Sequence, residues 1–254
     1  MLRRYYWLWV LLLILSCAGS RRDNLFLGAE DQFSLAKREY EGKHYSQARL
    51  EFQKLIFNYP GSALVDSAQY LLGMCYFKEE DYSAAVGEFN KLLHSFSASP
   101  LADDASFMIA YAHFKDSPKA ELDQVSTLRS IREIQDFLEV YPLSEYREEA
   151  QKLLGEAQSK IAKKLYKTGA LYFKLKHYEA ARIYLQQILE QYPESRYSAE
   201  AHFLIAESYF KQAQYDLAEL EYRKFLREHP DDKLTAKVNK RLKKLDEEGI
   251  QAKR

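Results

Sequence analysis

Related phrases of polar and apolar residues return along this chain at one spacing. Tyr45 and Tyr82 are 37 residues apart, and so are Tyr178 and Tyr215. Each tyrosine lies in a similar phrase: GKHYSQA, EEDYSAA, LKHYEAA or QAQYDLA. Self-similarity at a period in the thirties is typical of proteins built from stacked helix pairs, whose long surfaces hold other polypeptides. The pattern therefore predicts a helical repeat protein that binds a protein partner.

Small residues occupy two fixed places around each of these tyrosines. Small side chains there would let two helices cross closely, and a later proline would end the second helix. This arrangement resembles tetratricopeptide repeats. It predicts an all-α fold, a superhelical solenoid of five tetratricopeptide-like helix pairs. The small residues are Ala36 and Ala48, Gly73 and Ala85, Gly169 and Ala181, and Ala206 and Ala218, and the prolines are Pro60, Pro193 and Pro230.

A third unit fits the same pattern only with an insertion. Ala110 takes the first small place, but an unbroken register would put the large Leu122 at the second. Counting back from Pro142 puts Ser130 there instead, eight residues later. The extra residues, 117–125, lengthen the loop between the two helices of this unit. Such a loop is either a contact surface or a tolerated surface insertion, and the sequence leaves both open.

The repeats divide the chain into segments. Residues 17–28 are predicted to form a lipidated N-terminus and flexible tether, because residues 20–28 show no periodicity. Repeats 1–3 form a front half over residues 29–149. A connecting helix and repeats 4–5 form a back half over 150–232. Residues 233–254 form a basic C-terminal helix or tail with eight basic and three acidic residues, for which a solvated helix is favoured over contact with acidic protein or anionic lipid.

The first residues have the features of a secretory signal. Arg3 and Arg4 precede an apolar run of 11 residues, whereas a bilayer-spanning helix needs about 20. The run ends in ILSC, which resembles the lipobox of bacterial lipoproteins. The resemblance implies a signal peptide over residues 1–16, cleavage before Cys17, and acylation of Cys17 with chains such as palmitate. Ala18 is not the aspartate that commonly retains such lipoproteins in the inner membrane. The alternative is an ordinary signal peptide followed by a coincidental cysteine.

Composition and motifs give no sign of catalysis. The chain carries 37 basic and 37 acidic residues, and this balance gives no reason to expect nucleic acid as a partner. The sequence contains no HExxH, CxxC, GxSxG, P-loop or GxGxxG motif. The six histidines are scattered, so no metal-ligand cluster is predicted. We therefore expect a protein that is not an enzyme and that uses no cofactor and no metal.

The lipobox, the five repeats and the insertion in the third repeat together resemble the BamD family of outer-membrane lipoproteins, subunits of the β-barrel assembly machine. The resemblance is most specific at Asp123-Gln124, in DFLEVYPLSEYREEA, and in the fourth unit, LYFKLKHYEAARIYLQQILEQYP. It implies a protein that is lipid-anchored in the outer membrane, faces the periplasm and serves protein insertion into that membrane. It also implies that the back half binds the POTRA region of a BamA-like barrel protein. The front half would receive unfolded outer-membrane proteins, and accessory Bam lipoproteins are possible further partners.

Tyr184 departs from this family, because many members carry a polar or basic residue at that place. The alternative is another periplasmic tetratricopeptide adaptor lipoprotein, of the Tol-associated cell-division coordinator type. Those proteins usually carry an N-terminal coiled coil and about three repeats. This chain has no heptad segment and carries repeats over its whole length, which favours the BamD family.

Aromatic residues dominate the predicted concave face of the first three units. Such a lining suits extended or amphipathic segments with aromatic side chains, for instance the terminal strand of an outer-membrane barrel. For each ring, ordinary packing between units is the alternative. The hypothetical substrate groove comprises Phe33, Tyr40, Tyr70, Met74, Phe77, Phe107, Tyr111 and Phe114. In the back half, the hypothetical partner-binding residues are Tyr166, Phe173, Tyr184, Phe203 and Phe210, among which Glu207 adds charge.

Overall fold

The computed structural model describes residues 27–252, which form eleven α-helices and no strand. The predicted signal peptide 1–16, Cys17 and all but the last two residues of the tether lie outside the described residues. The prediction of an all-α fold built from tetratricopeptide-like helix pairs is confirmed. The helices are α1 (Ala29–Glu41), α2 (Tyr45–Asn58), α3 (Val65–Lys78), α4 (Tyr82–Ser95), α5 (Ala102–Asp116), α6 (Val125–Val140), α7 (Arg147–Lys174), α8 (Tyr178–Gln191), α9 (Ser198–Lys211), α10 (Tyr215–Glu228) and α11 (Thr235–Ala252).

The chain divides into two compact units after Val65. In the first unit, α1 and α2 form one antiparallel pair around the buried side chains of Ala36, Ala48 and Phe52. A side-chain hydrogen bond joins the two helices: the Gln32 amide donates to Oε2 of Glu51 at 2.6 Å. The first predicted repeat is therefore a helix pair, as the spacing of its small residues indicated.

In the second unit, the small residues do allow close helix crossings. A Cβ atom built on Gly73 would lie 2.6 Å from Cε1 of Phe89, and one built on Gly169 would lie 2.7 Å from Cγ of Leu185. Real Cβ atoms essentially never come so close to another heavy atom. Each glycine is therefore closest to a large side chain of the second helix, Phe89 or Leu185. These lie one turn after Ala85 and Ala181, the small residues that were predicted to meet the glycines.

The third unit confirms the register that was obtained by counting back from Pro142. Ser130 on α6 is fully buried, and its hydroxyl donates to the main-chain oxygen of Ala110 on α5 at 2.8 Å. Leu122, which the unbroken register would have placed at the crossing, is exposed. The inserted loop is held against α7, because Lys160 donates to the Ser117 carbonyl at 2.9 Å and Lys164 donates to the Leu122 carbonyl at 2.7 Å.

Helix α7 is continuous across residue 150 and has 28 residues. Its first half is the predicted connecting helix, and its second half is the first helix of the fourth repeat. In the last part of the chain, α11 is not a fully solvated helix. Val238 and Leu245 on α11 are buried against the core of α9 and α10, next to Tyr222 and Phe225.

Among residues 27–252, no helix has the length and the apolarity needed to cross a bilayer.

The four related phrases form one kind of tight turn. Lys43, Glu80, Lys176 and Ala213 each lie two residues before the repeated tyrosine, and each has a positive φ of 57–64°. Residues other than glycine are strained in this left-handed conformation.

We expect that Ala213→Gly raises the free energy of unfolding by about 0.5–1 kcal/mol, because glycine adopts this conformation without the Cβ clash. The matched control is Ala170→Gly within α7, which should lower it by about 1 kcal/mol through lost helix propensity. Urea unfolding followed by circular dichroism measures both. A loss of stability in both variants would show that the backbone of Ala213 is not strained.

Candidate protein-binding surfaces

The first unit contributes two of the predicted groove residues. Phe33 on α1 is half-buried and meets Phe52 edge-on, with 6.0 Å between the ring centroids. Tyr40, at the other end of α1, meets Tyr45 edge-on at 5.6 Å. Each ring keeps a partly exposed edge while it packs within its own helix pair.

The second unit arranges aromatic rings in a stacked row. Phe77 on α3 stacks on Tyr111 of α5 with 5.5 Å between the centroids. Tyr111 stacks in turn on Phe107 at 6.0 Å, and Phe107 stacks on Tyr146 at 4.8 Å. Tyr146, at the start of α7, was not predicted from the sequence. Burial and a hydrogen bond from its hydroxyl to Asp104 raise its pKa to about 12, so it stays a neutral donor.

Burial separates the predicted groove residues of this unit into two kinds. Phe107 is only 3% exposed and belongs to the core, so its assignment to the groove surface needs correction. The reason is that Tyr146 covers its outer face. The remaining residues are half-buried around the same core and offer ring or thioether edges on its surface: Tyr70, Met74, Phe77, Tyr111 and Phe114.

A cleft of about 830 Å³ lies between the inserted loop and α7, with Phe114 in its wall. Lys160 lies over the Phe114 ring, 5.6 Å from the centroid. The cleft is lined by five basic and three acidic side chains: Lys119, Lys152, Lys160, Lys163, Arg196, Glu121, Glu156 and Glu194. This lining offers an apolar wall with charged groups of both signs, which suits a polypeptide segment better than a small apolar ligand.

The C-terminal helix covers two of the predicted partner-binding residues. Phe203 is 5% exposed, and the ammonium group of Lys237 on α11 lies 4.5 Å from its ring centroid. Phe210 is half-buried beneath Arg241 and Lys244, whose cationic groups lie 5.0 and 5.4 Å from its centroid. These two rings therefore do not form an open docking surface while α11 is in place, and the prediction is corrected for them.

A buried ion pair holds α11 in that position. Glu207, which was predicted to add charge to the partner surface, is 5% exposed. Its carboxylate accepts from Arg241 Nε at 2.5 Å and from a second guanidinium nitrogen at 2.8 Å, and it also accepts from the Tyr222 hydroxyl. Burial, followed by the bond to Glu207, raises the pKa of Tyr222, so the phenol remains a donor. Glu207 is thus a structural residue.

Three back-half residues remain partly exposed. Tyr166 stacks on Tyr197 at 5.4 Å, and Phe173 meets Tyr178 edge-on at 5.4 Å. Tyr184 stacks almost parallel on Tyr172 at 5.5 Å. Each of these rings already contacts another ring within the protein and therefore offers only part of its surface to a partner.

Helix pairs that cross at small residues and present half-buried aromatic side chains define a helical repeat protein of the tetratricopeptide class. The chain belongs to the YfiO family, described as outer membrane lipoproteins, whose model matches residues 28–183 and 160–238. None of the curated proteins compared with the chain matches it.

Several solved structures are similar to this one. The tetratricopeptide region of yeast Sti1 in its complex with a heat-shock protein 90 peptide is 14% identical, with a TM-score of 0.43 over 80% of this chain and 78% of that one. MamA from Desulfovibrio magneticus is 15% identical, with a TM-score of 0.40 over 81% and 97%. A thermophilic tetratricopeptide protein from Thermus thermophilus is 16% identical, with a TM-score of 0.37 over 86% and 98%.

Proposed function

We propose that this protein is a non-enzymatic adaptor of outer-membrane β-barrel assembly, anchored by acyl chains on Cys17 and exposed to the periplasm. The observation that carries the proposal is the family match, which extends over residues 28–238 and so over most of the described chain. The lipobox-like ILSC and the repeat architecture agree with it. In this role the protein holds other polypeptides and catalyses no reaction.

The front part of the adaptor binds unfolded outer-membrane proteins. In support, Tyr70, Met74, Phe77, Tyr111 and Phe114 expose apolar edges around one core, and Phe114 continues into the cleft beside the inserted loop. Aromatic edges contribute large contact areas at a low cost in side-chain entropy, and they tolerate many sequences. Unfolded barrel proteins share alternating apolar residues, with aromatic residues near the strand ends, but no single sequence, and such a surface suits this kind of partner.

The back part binds the POTRA region of a BamA-like barrel protein, through the rings that α11 leaves open. These are Tyr166, Phe173 and Tyr184. Phe203 and Phe210 support this contact from beneath α11 by fixing the position of that helix.

Site-specific photocrosslinking in intact membranes tests both contacts. A photoreactive residue at Tyr111 should form adducts with nascent barrel proteins, and one at Phe173 should form adducts with the POTRA-containing protein. The control is Leu143, an apolar residue that is fully open to solvent in the loop between α6 and α7. An adduct pattern that is the same at all three positions, or no adducts at Tyr111 and Phe173, would reject these surfaces.

The lipid anchor has a separate test. The mature protein should begin at acylated Cys17 by mass spectrometry, and Cys17→Ser should release it from the outer-membrane fraction.

Co-purification from detergent-solubilised membranes distinguishes the two classes of adaptor. Recovery of a POTRA-containing barrel protein supports the assembly role, whereas recovery of Tol components in its place would assign the chain to the Tol-associated class.

A further inference from the structure

Two histidines that are distant in sequence lie together at one end of the fifth repeat. His202 on α9 is completely buried, and its Nδ1 lies 3.5 Å from Oε2 of Glu228 at the end of α10. His229 follows directly, and its ring centroid is 5.7 Å from that of His202. One ligand atom from each of these three residues lies within 4.8 Å of the others. The expectation of scattered histidines is therefore wrong for this pair.

Both histidines have a buried nitrogen without a hydrogen-bond partner. These atoms are Nδ1 of His202 and Nε2 of His229. Buried polar nitrogens are nearly always satisfied in folded proteins, so each unpaired one requires an explanation. Ring packing against Phe225 accounts for the positions of the imidazole rings but not for these two nitrogens.

The other repeats show what these two positions need for structure alone. At the place of His202, the first two repeats carry Gln32 and Gln69, whose amides donate to Glu51 and Glu88, 19 residues later, at 2.6 and 2.7 Å. His202 makes the equivalent contact, since its Nε2 lies 3.1 Å from Oε2 of Glu221, again 19 residues later. A glutamine would therefore suffice for the hydrogen bond between the two helices. The imidazole of His202 adds a second ring nitrogen that this hydrogen bond does not use.

The position of His229 is also exceptional. His229 directly follows the second helix of its repeat. At the equivalent place the other four repeats have an aromatic residue: Tyr59, Phe96, Tyr141 and Tyr192. A tyrosine or phenylalanine fills that place in the packing without a nitrogen. Only the fifth of the described repeats thus carries imidazoles at both positions, and these two positions are neighbours in space.

The contact with Glu221 prepares His202 to act as a ligand. The contact places Nε2 against the Glu221 carboxylate and leaves Nδ1, which lies 3.5 Å from Oε2 of Glu228 and has no hydrogen-bond partner, available to a metal ion. Histidine ligands of metals typically have such a carboxylate behind the other ring nitrogen, where it fixes the tautomer and raises the basicity of the ligand.

We propose that His202 Nδ1, His229 Nε2 and the Glu228 carboxylate form a site for a divalent transition-metal ion, with Zn²⁺ as the best match. Two imidazole nitrogens and one carboxylate oxygen are a common zinc ligand set, with the fourth place left for water or a partner's side chain. Bonds of about 2.0–2.1 Å in a tetrahedron place ligand atoms roughly 3.3 Å apart. The 3.5 Å between His202 Nδ1 and Glu228 Oε2 is already close to this value, and the exposed Glu228 side chain, whose other oxygen pairs with the exposed Arg227 at 3.7 Å, has room to adjust. A bound ion would join the end of α10 to α9.

Titration of the purified mature chain, prepared without a histidine tag, with ZnCl₂ tests the site. We expect one Zn²⁺ bound per chain, no binding of MgCl₂ because it prefers all-oxygen sites, and visible absorption bands of tetrahedral Co²⁺ when CoCl₂ replaces zinc. The double variant His202→Gln, His229→Tyr carries the residues of the other repeats and should therefore keep its fold, as checked by circular dichroism. It should lose at least about 100-fold in zinc affinity, and Glu221→Gln should lose about 10–100-fold.

His94→Gln is the matched control, because this histidine is exposed on α4 and distant in sequence from the cluster. Its zinc affinity should equal that of the wild type. If the double variant does not fold, His229→Tyr alone serves in its place. Saturable zinc binding that is unchanged in the folded variant would overturn the proposal, and so would wild-type protein that shows no stoichiometric binding.

Discussion

Replacing Arg241 with alanine is expected to lower the free energy of unfolding by about 3 kcal/mol. The variant leaves the Glu207 carboxylate, which is 5% exposed, without the guanidinium that accompanies it. Removing one partner of a buried ion pair typically costs about 3–5 kcal/mol, because the remaining charge stays desolvated. We expect the lower end of this range, since the Arg241 side chain is about one quarter exposed and water can reach the vacated space.

Urea unfolding measures the loss, and hydrogen exchange locates it. Exchange should increase in α9, α10 and α11, which the pair joins, and not in α1 and α2. Arg223→Ala is the matched control, because Arg223 pairs with Glu219 one turn away on the exposed face of α10. That surface pair should contribute no more than about 0.5 kcal/mol. Equal losses in the two variants would show that the burial of Glu207 has no energetic consequence.

The second large effect is expected at Gly73. Gly73→Leu should lower the free energy of unfolding by about 3 kcal/mol, at the upper end of the usual cost of overpacking. Even a Cβ atom at this position would come within 2.6–3.0 Å of three atoms of the Phe89 ring, and Phe89 is fully buried. Because the Phe89 ring is fully buried and cannot move out into solvent, we expect α3 and α4 to be forced apart by the larger side chain.

Gly87→Leu provides the control for this prediction. Gly87 also lies within a helix, α4, but a Cβ atom there would meet nothing within 4 Å. Leucine should therefore raise the stability by about 0.5–1 kcal/mol through helix propensity alone. Opposite signs at the two glycines are the expected result in chemical denaturation. A gain at both positions would mean that α3 and α4 are not packed as closely as the structure has them.

Features that depend on neighbours within one repeat could be predicted well. Ser130 was placed at a helix crossing by counting from Pro142, and its hydroxyl meets the carbonyl of Ala110 there. The prediction worked because a crossing admits only small side chains, and a proline ends a helix at any site. Helix pairs, their turns and the displaced register of the third unit follow from such local requirements.

Assignment of aromatic residues to a surface or to the core could not be predicted in this way. Phe33 and Phe107 occupy the same place in their repeats, yet Phe33 is half-buried, whereas Phe107 is covered by Tyr146 of the following helix. Phe203 likewise lies beneath Lys237 of α11. Whether an aromatic ring is available for binding depends on the next helix in space, and the repeat pattern does not contain that information.

The sequence by itself determined the all-α repeat architecture, the helix crossings and the inserted loop, because each depends on residue size and backbone conformation within about forty neighbouring residues. Only the tertiary structure decided which side chains face solvent and which distant groups meet. Glu207 became a buried anion because α11 folds back with Arg241, and His202 came next to His229 because the start of one helix packs against the end of its partner. Burial and proximity arise from packing between helices, and a linear pattern records the shape of each helix but not the atoms that come to cover it.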